Sequence, residues 1–169
     1  ILIPRLGGHE QNKLMAVESV EKIIRIIREQ KLEEAIKVKV TETGIAIKVA
    51  DPVGFDIGDA DIKPELVPAL QAISKVIGKV PGSQIRVEGH TDDLPIRSQK
   101  YPSNWELSSA RALNVVKFLA NYGDIEPSTL SAIGYGEYRP LVPNNSAENR
   151  KVNRRIEVYV DYVQKQDGK

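Results

Sequence analysis

The sequence predicts a two-layer α/β sandwich, a mixed β-sheet covered by helices on one face and preceded by a long amphipathic helix. Three observations predict it. Apolar spacings of three and four residues recur at 14–27, 66–77 and 107–120, the period of a helix with one buried face. Alternation of apolar and polar residues marks 36–50, 84–90 and 155–163 as strands. The patterns then interleave as β-hairpin, helix, strand, helix, strand, strand, which places helices between strands of one sheet.

The elements follow in order. Residues 1–9 hold Pro4, Gly7 and Gly8 without a period and read as a flexible lead-in. Residues 10–35 read as a linker helix whose stripe is Leu14, Val17, Val20, Ile24 and Ile27. Glu18 with Lys22 and Glu21 with Arg25 add acid-first pairs one turn apart. Ile36, Val38 and Val40, then Ile45, Ile47 and Val49, alternate on either side of Glu42-Thr43-Gly44, a hairpin. Residues 51–63 carry four aspartates with Pro52, Gly54 and Gly58 and read as a loop. A second helix is expected from about Glu65 to Lys79 on Leu66, Leu70, Ile73 and Ile77, stopped by Pro81-Gly82. Strand 84–90 turns Ile85 and Val87 inward. Ser103 and Glu106 fit a capping box for the third helix. That helix carries Leu107, Ala110, Leu113, Val116 and Ala120 in one stripe, and Gly123 sits where a helix-ending glycine belongs. Residues 128–134 read as a strand, 146–149 as a helical turn and 155–163 as the last strand. The divisions are thus lead-in 1–9, linker helix 10–35, domain 36–163 and tail 164–169.

Composition narrows the function. A length of 169 residues suits one domain with an arm. Apolar residues are 41% and charged residues 28%, a globular balance. Lys and Arg number 24 against 23 acids, so the chain lacks the overall field that gathers nucleic acid, and 5% aromatics offer few stacking surfaces for it. No nucleic-acid partner is expected. The absence of cysteine excludes disulfides, thiol nucleophiles and iron–sulfur clusters. No run approaches 18 apolar residues. The chain begins at Ile1 without a leader and reads as a mature product or a piece of something longer.

The chemistry concentrates in Gly89-His90-Thr91-Asp92-Asp93 and in Asn104, Leu107, Ser108 and Arg111. His90 with Asp92 and Asp93 could ligate a metal or do acid–base work, but the only other histidine, His9, lies in the lead-in. No catalytic residue, metal or cofactor is therefore assigned. Asp92 beside Arg111 would suit an amino-acid head group, the carboxylate taking an ammonium and the guanidinium fork a carboxylate. A plain salt bridge needs the same geometry, and on a rim either truncation is expected to leave the fold intact. Gly134-Tyr135-Gly136 lacks the third glycine of a dinucleotide loop. Arg150, Lys151, Arg154 and Arg155 read as a solvated basic run.

Four blocks now carry a resemblance: VEGHTDDLPI at 87–96, NWELSSARALNVVKFL at 104–119, IGYGEYRPLVPN at 133–144 and NRRIEVYV at 153–160. Together they resemble the OmpA-like C-terminal domain family, over about residues 36–163, and within it the flagellar stator branch. The resemblance implies a non-catalytic peptidoglycan-binding domain that anchors a stator to the cell wall. It implies that Asp92 and Arg111 hold the diaminopimelate of the stem peptide, and that Thr91, Asn104, Leu107, Arg154 and Arg155 complete the site. It also implies a homodimer, a MotA-type stator subunit met through a membrane helix outside this chain, and a periplasmic domain of a single-pass inner-membrane protein. A wall anchor of a porin or lipoprotein, unrelated to motility, is the alternative.

Overall fold

The computed structural model describes residues 7–80, 82–96 and 98–162. Of the expected lead-in over 1–9, residues 1–6 lie outside them, as does the tail over 164–169, while Gly8 and His9 belong to the first helix rather than to a lead-in. The expected order is kept, with one addition, a short helix inside the expected loop over 51–63: α1 (Gly8–Glu29), β1 (Ile36–Val40), β2 (Gly44–Ala50), α2 (Asp51–Gly54), α3 (Val67–Gly78), β3 (Gln84–His90), α4 (Asn104–Gly123), a 3-10 turn (Pro127–Thr129), β4 (Leu130–Gly134), α5 (Ala147–Asn153) and β5 (Arg155–Asp161). The sheet order is β1-β2-β5-β3-β4, antiparallel except for β3 beside β4.

Register turns the alternating pattern into apolar rungs. Val38, Ile47, Val158 and Val87 are cross-strand neighbours on one line, as are Val40, Ile45, Val160 and Ile85. Side chains two residues apart share a face, so these rungs make one continuous apolar surface. α1, α3 and α4 cover it. The other face carries Lys37, Lys48, Glu157 and Glu88 on one rung.

Three expectations shift. α1 buries Ala16, Ser19, Ile23 and Ile27, while Leu14 and Val17 are exposed. The helix is rotated from its most apolar line because the polar Ser19 faces inward, accepting a hydrogen bond from the Tyr162 hydroxyl at 3.3 Å. α1 also stops at Glu29 rather than near residue 35. Lys31 adopts φ 57°, and Leu32 N–H bonds to Ile27 C=O while Lys31 N–H bonds to Arg28 C=O. This is a Schellman ending built without glycine, so no residue type announced it. Similarly, α4 buries Ser108, Ala112, Val115 and Leu119 and leaves Leu113 exposed.

Gly123 has another role than the expected one. Asp124 takes the left-handed conformation that ends α4, with φ 51°. Gly123 remains helical, and a Cβ on Gly78 would overlap its carbonyl. The pair lets α3 and α4 touch backbone to backbone. Gly89 and Gly134 do the same between sheet and α4: a Cβ on either would strike Ser108 or Ser109. α4 is thereby pressed onto the ends of β3 and β4.

Candidate functional site: a cleft floored by alternating charges

That close docking sets the start of α4 against the loop after β3. Between them lies a cleft of about 370 Å³ lined by Asp51, Thr91, Asp92, Asn104, Leu107, Arg111 and Arg154, with Ile57, Leu94, Pro95 and Ile96 as apolar walls. Four charges cross its floor in alternation. Asp92 Oδ2 accepts from Arg154 Nη1 at 2.6 Å, Arg154 Nε lies 3.6 Å from Asp51 Oδ2, and Asp51 Oδ1 accepts from Arg111 Nη1 at 2.6 Å.

Local structure aims each member. β2 opposes β5 with Ala50 beside Arg155, so the next residues back and forward, Arg154 and Asp51, meet; Asp51 N–H donates to Arg154 C=O at 3.0 Å. Asp92 is held by Leu94 N–H, which donates to its Oδ1 at 2.9 Å. Thr91 N–H donates to Gly136 C=O and its hydroxyl to Asp92 C=O, both at 2.9 Å. Ser103 caps α4 by accepting from Trp105 N–H at 3.2 Å, and its hydroxyl donates to Glu106. Asn104 then donates from Nδ2 to Leu94 C=O at 3.1 Å, which closes the cleft's outer end.

Arg111 is not on a rim. Its relative exposure is 3%, and it stands over the Phe55 ring at 5.0 Å. Besides Asp51, it donates from Nε to Asp59 C=O at 2.7 Å and from Nη2 to Asp56 C=O at 3.0 Å. Three of five N–H groups are so engaged, leaving one on each terminal nitrogen, the pair that forms a carboxylate fork. Burial lifts the Asp51 carboxyl above its ordinary range against the pull of Arg111 and Arg154. Burial likewise draws the Arg111 guanidinium down, although it stays charged. The expected harmless truncation of Arg111 is thus corrected: removing it breaks a buried ion pair, leaves Asp51 only the longer Arg154 contact and frees the loop over 56–59, at about 3–5 kcal/mol.

The structure brings Thr91, Asp92, Asn104, Leu107, Arg111 and Arg154 to one cleft. It does not bring Arg155, which is buried on the sheet face away from the helices, donating to Glu157 Oε1 at 3.2 Å and to Asn153 C=O at 3.0 Å. Nor does it pair Asp92 with Arg111 directly, since Arg154 and Asp51 stand between them. Asp51 is the functional candidate that sequence reading missed. It sat among four loop aspartates, and its one signal was its place immediately after an alternating strand.

His90 parts company with Asp92 and Asp93. Its ring is buried on the sheet face away from the helices, stacked on Tyr135 at 5.2 Å, with Nε2 3.2 Å from Glu88 Oε2 and 3.6 Å from Glu157 Oε2. Asp93 instead meets Arg150 at 2.9 Å. Glu88, His90 and Glu157 could converge on a cation. However, Arg86 and Arg155 already hold the other carboxylate oxygens, at 2.8 and 3.2 Å. Two guanidinium charges balance the two carboxylates and oppose a dication there.

Comparison with known proteins agrees with this architecture. Residues 54–154 match the OmpA family. Motility protein B of Bacillus subtilis is 38% identical over 151 residues, which are 89% of this chain and 57% of that protein. The chain therefore spans little more than half of that relative's length. A MotB-like protein from Desulfovibrio vulgaris superposes with TM-score 0.80 at 28% identity, covering 92% of this chain and 99% of that one. The cell wall anchor of the type VI secretion system from Pseudomonas aeruginosa gives TM-score 0.73 at 31% identity, covering 85% and 99%. A family match over more than half the chain, together with that 38% identity, makes this protein a member of the OmpA family.

Proposed function

We propose that the chain is a non-catalytic peptidoglycan-binding domain that anchors a flagellar stator to the cell wall by holding the diaminopimelate of the stem peptide. The floor of alternating charges carries the reading. Diaminopimelate ends in an ammonium and a carboxylate on one carbon, a zwitterion that can enter such a ladder without net change of charge. Asp92 receives the ammonium. Arg154 is the most open member, with a side chain 31% exposed, and it leaves Asp92 to bind the carboxylate with the free N–H groups of Arg111. One ion pair is exchanged for two charge-assisted contacts. Leu94, Ile96 and Leu107 cover the ligand's methylenes. The motility relatives support the stator assignment, with the periplasmic placement, the paired subunits and the MotA-type partner that it entails. Among the described residues no helix is long and apolar enough to cross a membrane. The similarity to a type VI wall anchor supports wall anchoring outside motility as the second reading, and the full-length gene separates the two.

The test is binding to purified, protein-free sacculi beside circular dichroism. Asp92→Asn and Arg154→Ala are expected to stay folded and lose about 2–5 kcal/mol of binding. Peptides carrying lysine in place of diaminopimelate lack the second carboxylate and are expected to bind at least tenfold more weakly. Equal pelleting of wild type and both variants would overturn the assignment.

A further inference from the structure

We infer that Trp105 and Tyr138 form a second subsite, a stacking platform for a sugar ring of the glycan strand; this rests on the peptide reading of the adjoining cleft. Trp105 is 49% exposed and Tyr138 62%. Their rings stack with centroids 5.0 Å apart and planes 24° from parallel. Neither ring belongs to the apolar clusters of the interior. Two large aromatic surfaces are thus kept together in water, ordered before any ligand arrives.

The backbone fixes both. Trp105 lies in the first turn of α4, one residue after the Ser103 cap's neighbour Asn104. Gly136 stands against it: with φ 59°, its Cβ position lies 3.6 Å from Trp105 N and 3.7 Å from the indole Cδ2. Tyr138 N–H donates to Tyr135 C=O at 3.3 Å, closing the turn that carries the second ring.

The platform is continuous with the cleft. Asn104 lines the cleft and precedes Trp105; its Nδ2 lies 3.4 Å from Glu137 Oε2, and Glu137 precedes Tyr138. The Thr91–Gly136 hydrogen bond joins the same turn to the cleft floor. The stack presents an outer aromatic face, edged by an amide and a carboxylate, which matches one pyranose ring. The C–H face of the sugar lies on the aromatic face, and its hydroxyl and acetamido groups reach the polar edge. Peptidoglycan offers both halves in the required order. The stem peptide hangs from a sugar, and its third residue is the diaminopimelate, about 10 Å away at roughly 3.3 Å per extended residue.

Trp105 is the sole tryptophan, so its fluorescence reports this site alone. The experiment titrates the chain with the disaccharide-tripeptide, the sugar-free tripeptide and the disaccharide, following Trp105 emission and calorimetric affinity. The disaccharide-tripeptide is expected to bind about three- to tenfold tighter than the tripeptide and to shift Trp105 emission. Trp105→Ala is expected to erase that preference while tripeptide affinity holds, and Trp105→Phe to keep part of it. Tyr138→Ala, outside any helix, gives the same readout should the first variant unfold. Equal affinity of wild type for the two peptides, or an undiminished sugar preference in both alanine variants, overturns the platform but not the peptide site. Failure of wild type to bind either peptide overturns both.

Discussion

At the scale of single residues, the informative side chains are buried ones that titrate. His90 is 3% exposed, and its Nδ1 has no hydrogen-bond partner. Burial first, and Arg155 next, hold the imidazole below its ordinary value, while Glu88 and Glu157 pull it upward. A base with a depressed folded pKa binds fewer protons folded than unfolded. Stability is then full above the unfolded value near 6.5 and is lost as pH falls toward the folded one. Urea unfolding is expected to show a falling midpoint from pH 7 to 5.5, with a slope of at most about 1.4 kcal/mol per pH unit. His90→Gln is expected to flatten that slope. A slope that survives in His90→Gln would assign the effect elsewhere.

At the scale of elements, endings and contacts matter more than propensity. Lys31 occupies a left-handed conformation that costs an L-residue about 1–2 kcal/mol. Lys31→Gly is expected to relieve it, offset partly by a freer unfolded chain, for a net gain of about 0.5–1 kcal/mol in chemical denaturation. A loss of stability instead would mean that the Lys31 side chain contributes more than its backbone costs. Gly89 tests the docking of α4. A methyl there meets the Ser108 carbonyl, so Gly89→Ala must lift the helix that carries Leu107 and Arg111. Its expected cost is about 1–3 kcal/mol, with weaker binding to sacculi in the molecules that remain folded. Undiminished binding at undiminished stability would show that α4 is free to shift without consequence.

At the scale of the whole molecule, α1 is the long helix held by the fewest buried residues for its length. It spans 22 residues and buries only four of them. A lone helix of that length is marginal in water, so its order depends on docking. As a helix it measures about 33 Å at roughly 1.5 Å per residue, and extended about 73 Å at roughly 3.3 Å. Leu14 and Val17 stand outward on its first half, and under the proposed stator reading they are the surface that a second copy would cover. Replacing both by serine is expected to shift any dimer toward monomer by at least tenfold in light scattering, without changing the circular dichroism. Dimerisation undisturbed by the double variant would move the interface elsewhere.

The sequence by itself determined what neighbours within four residues encode: the strand alternation, the helix periods, the Ser103 cap and the motif blocks of the family. Ile36, Val38, Val40, Ile45, Ile47, Val49, Ile85 and Val87 fall on the helix-covered face, because a period of two admits one choice of side once the core is named, whereas Ile133 pairs with Glu88 on the other face. Only the tertiary structure decided which charges meet. Asp51 and Arg111 are 60 residues apart, and Asp92 and Arg154 are 62 apart. Arg154 and Arg155 read alike in the chain, yet the start of β5 sends one to the cleft and buries the other on the sheet face away from the helices. The rotation of α1 about its axis turned on Ser19, a polar residue that no hydrophobic pattern counts. Local periods follow from backbone geometry; charge partners follow from strand register and close helix docking, which are set by the fold as a whole.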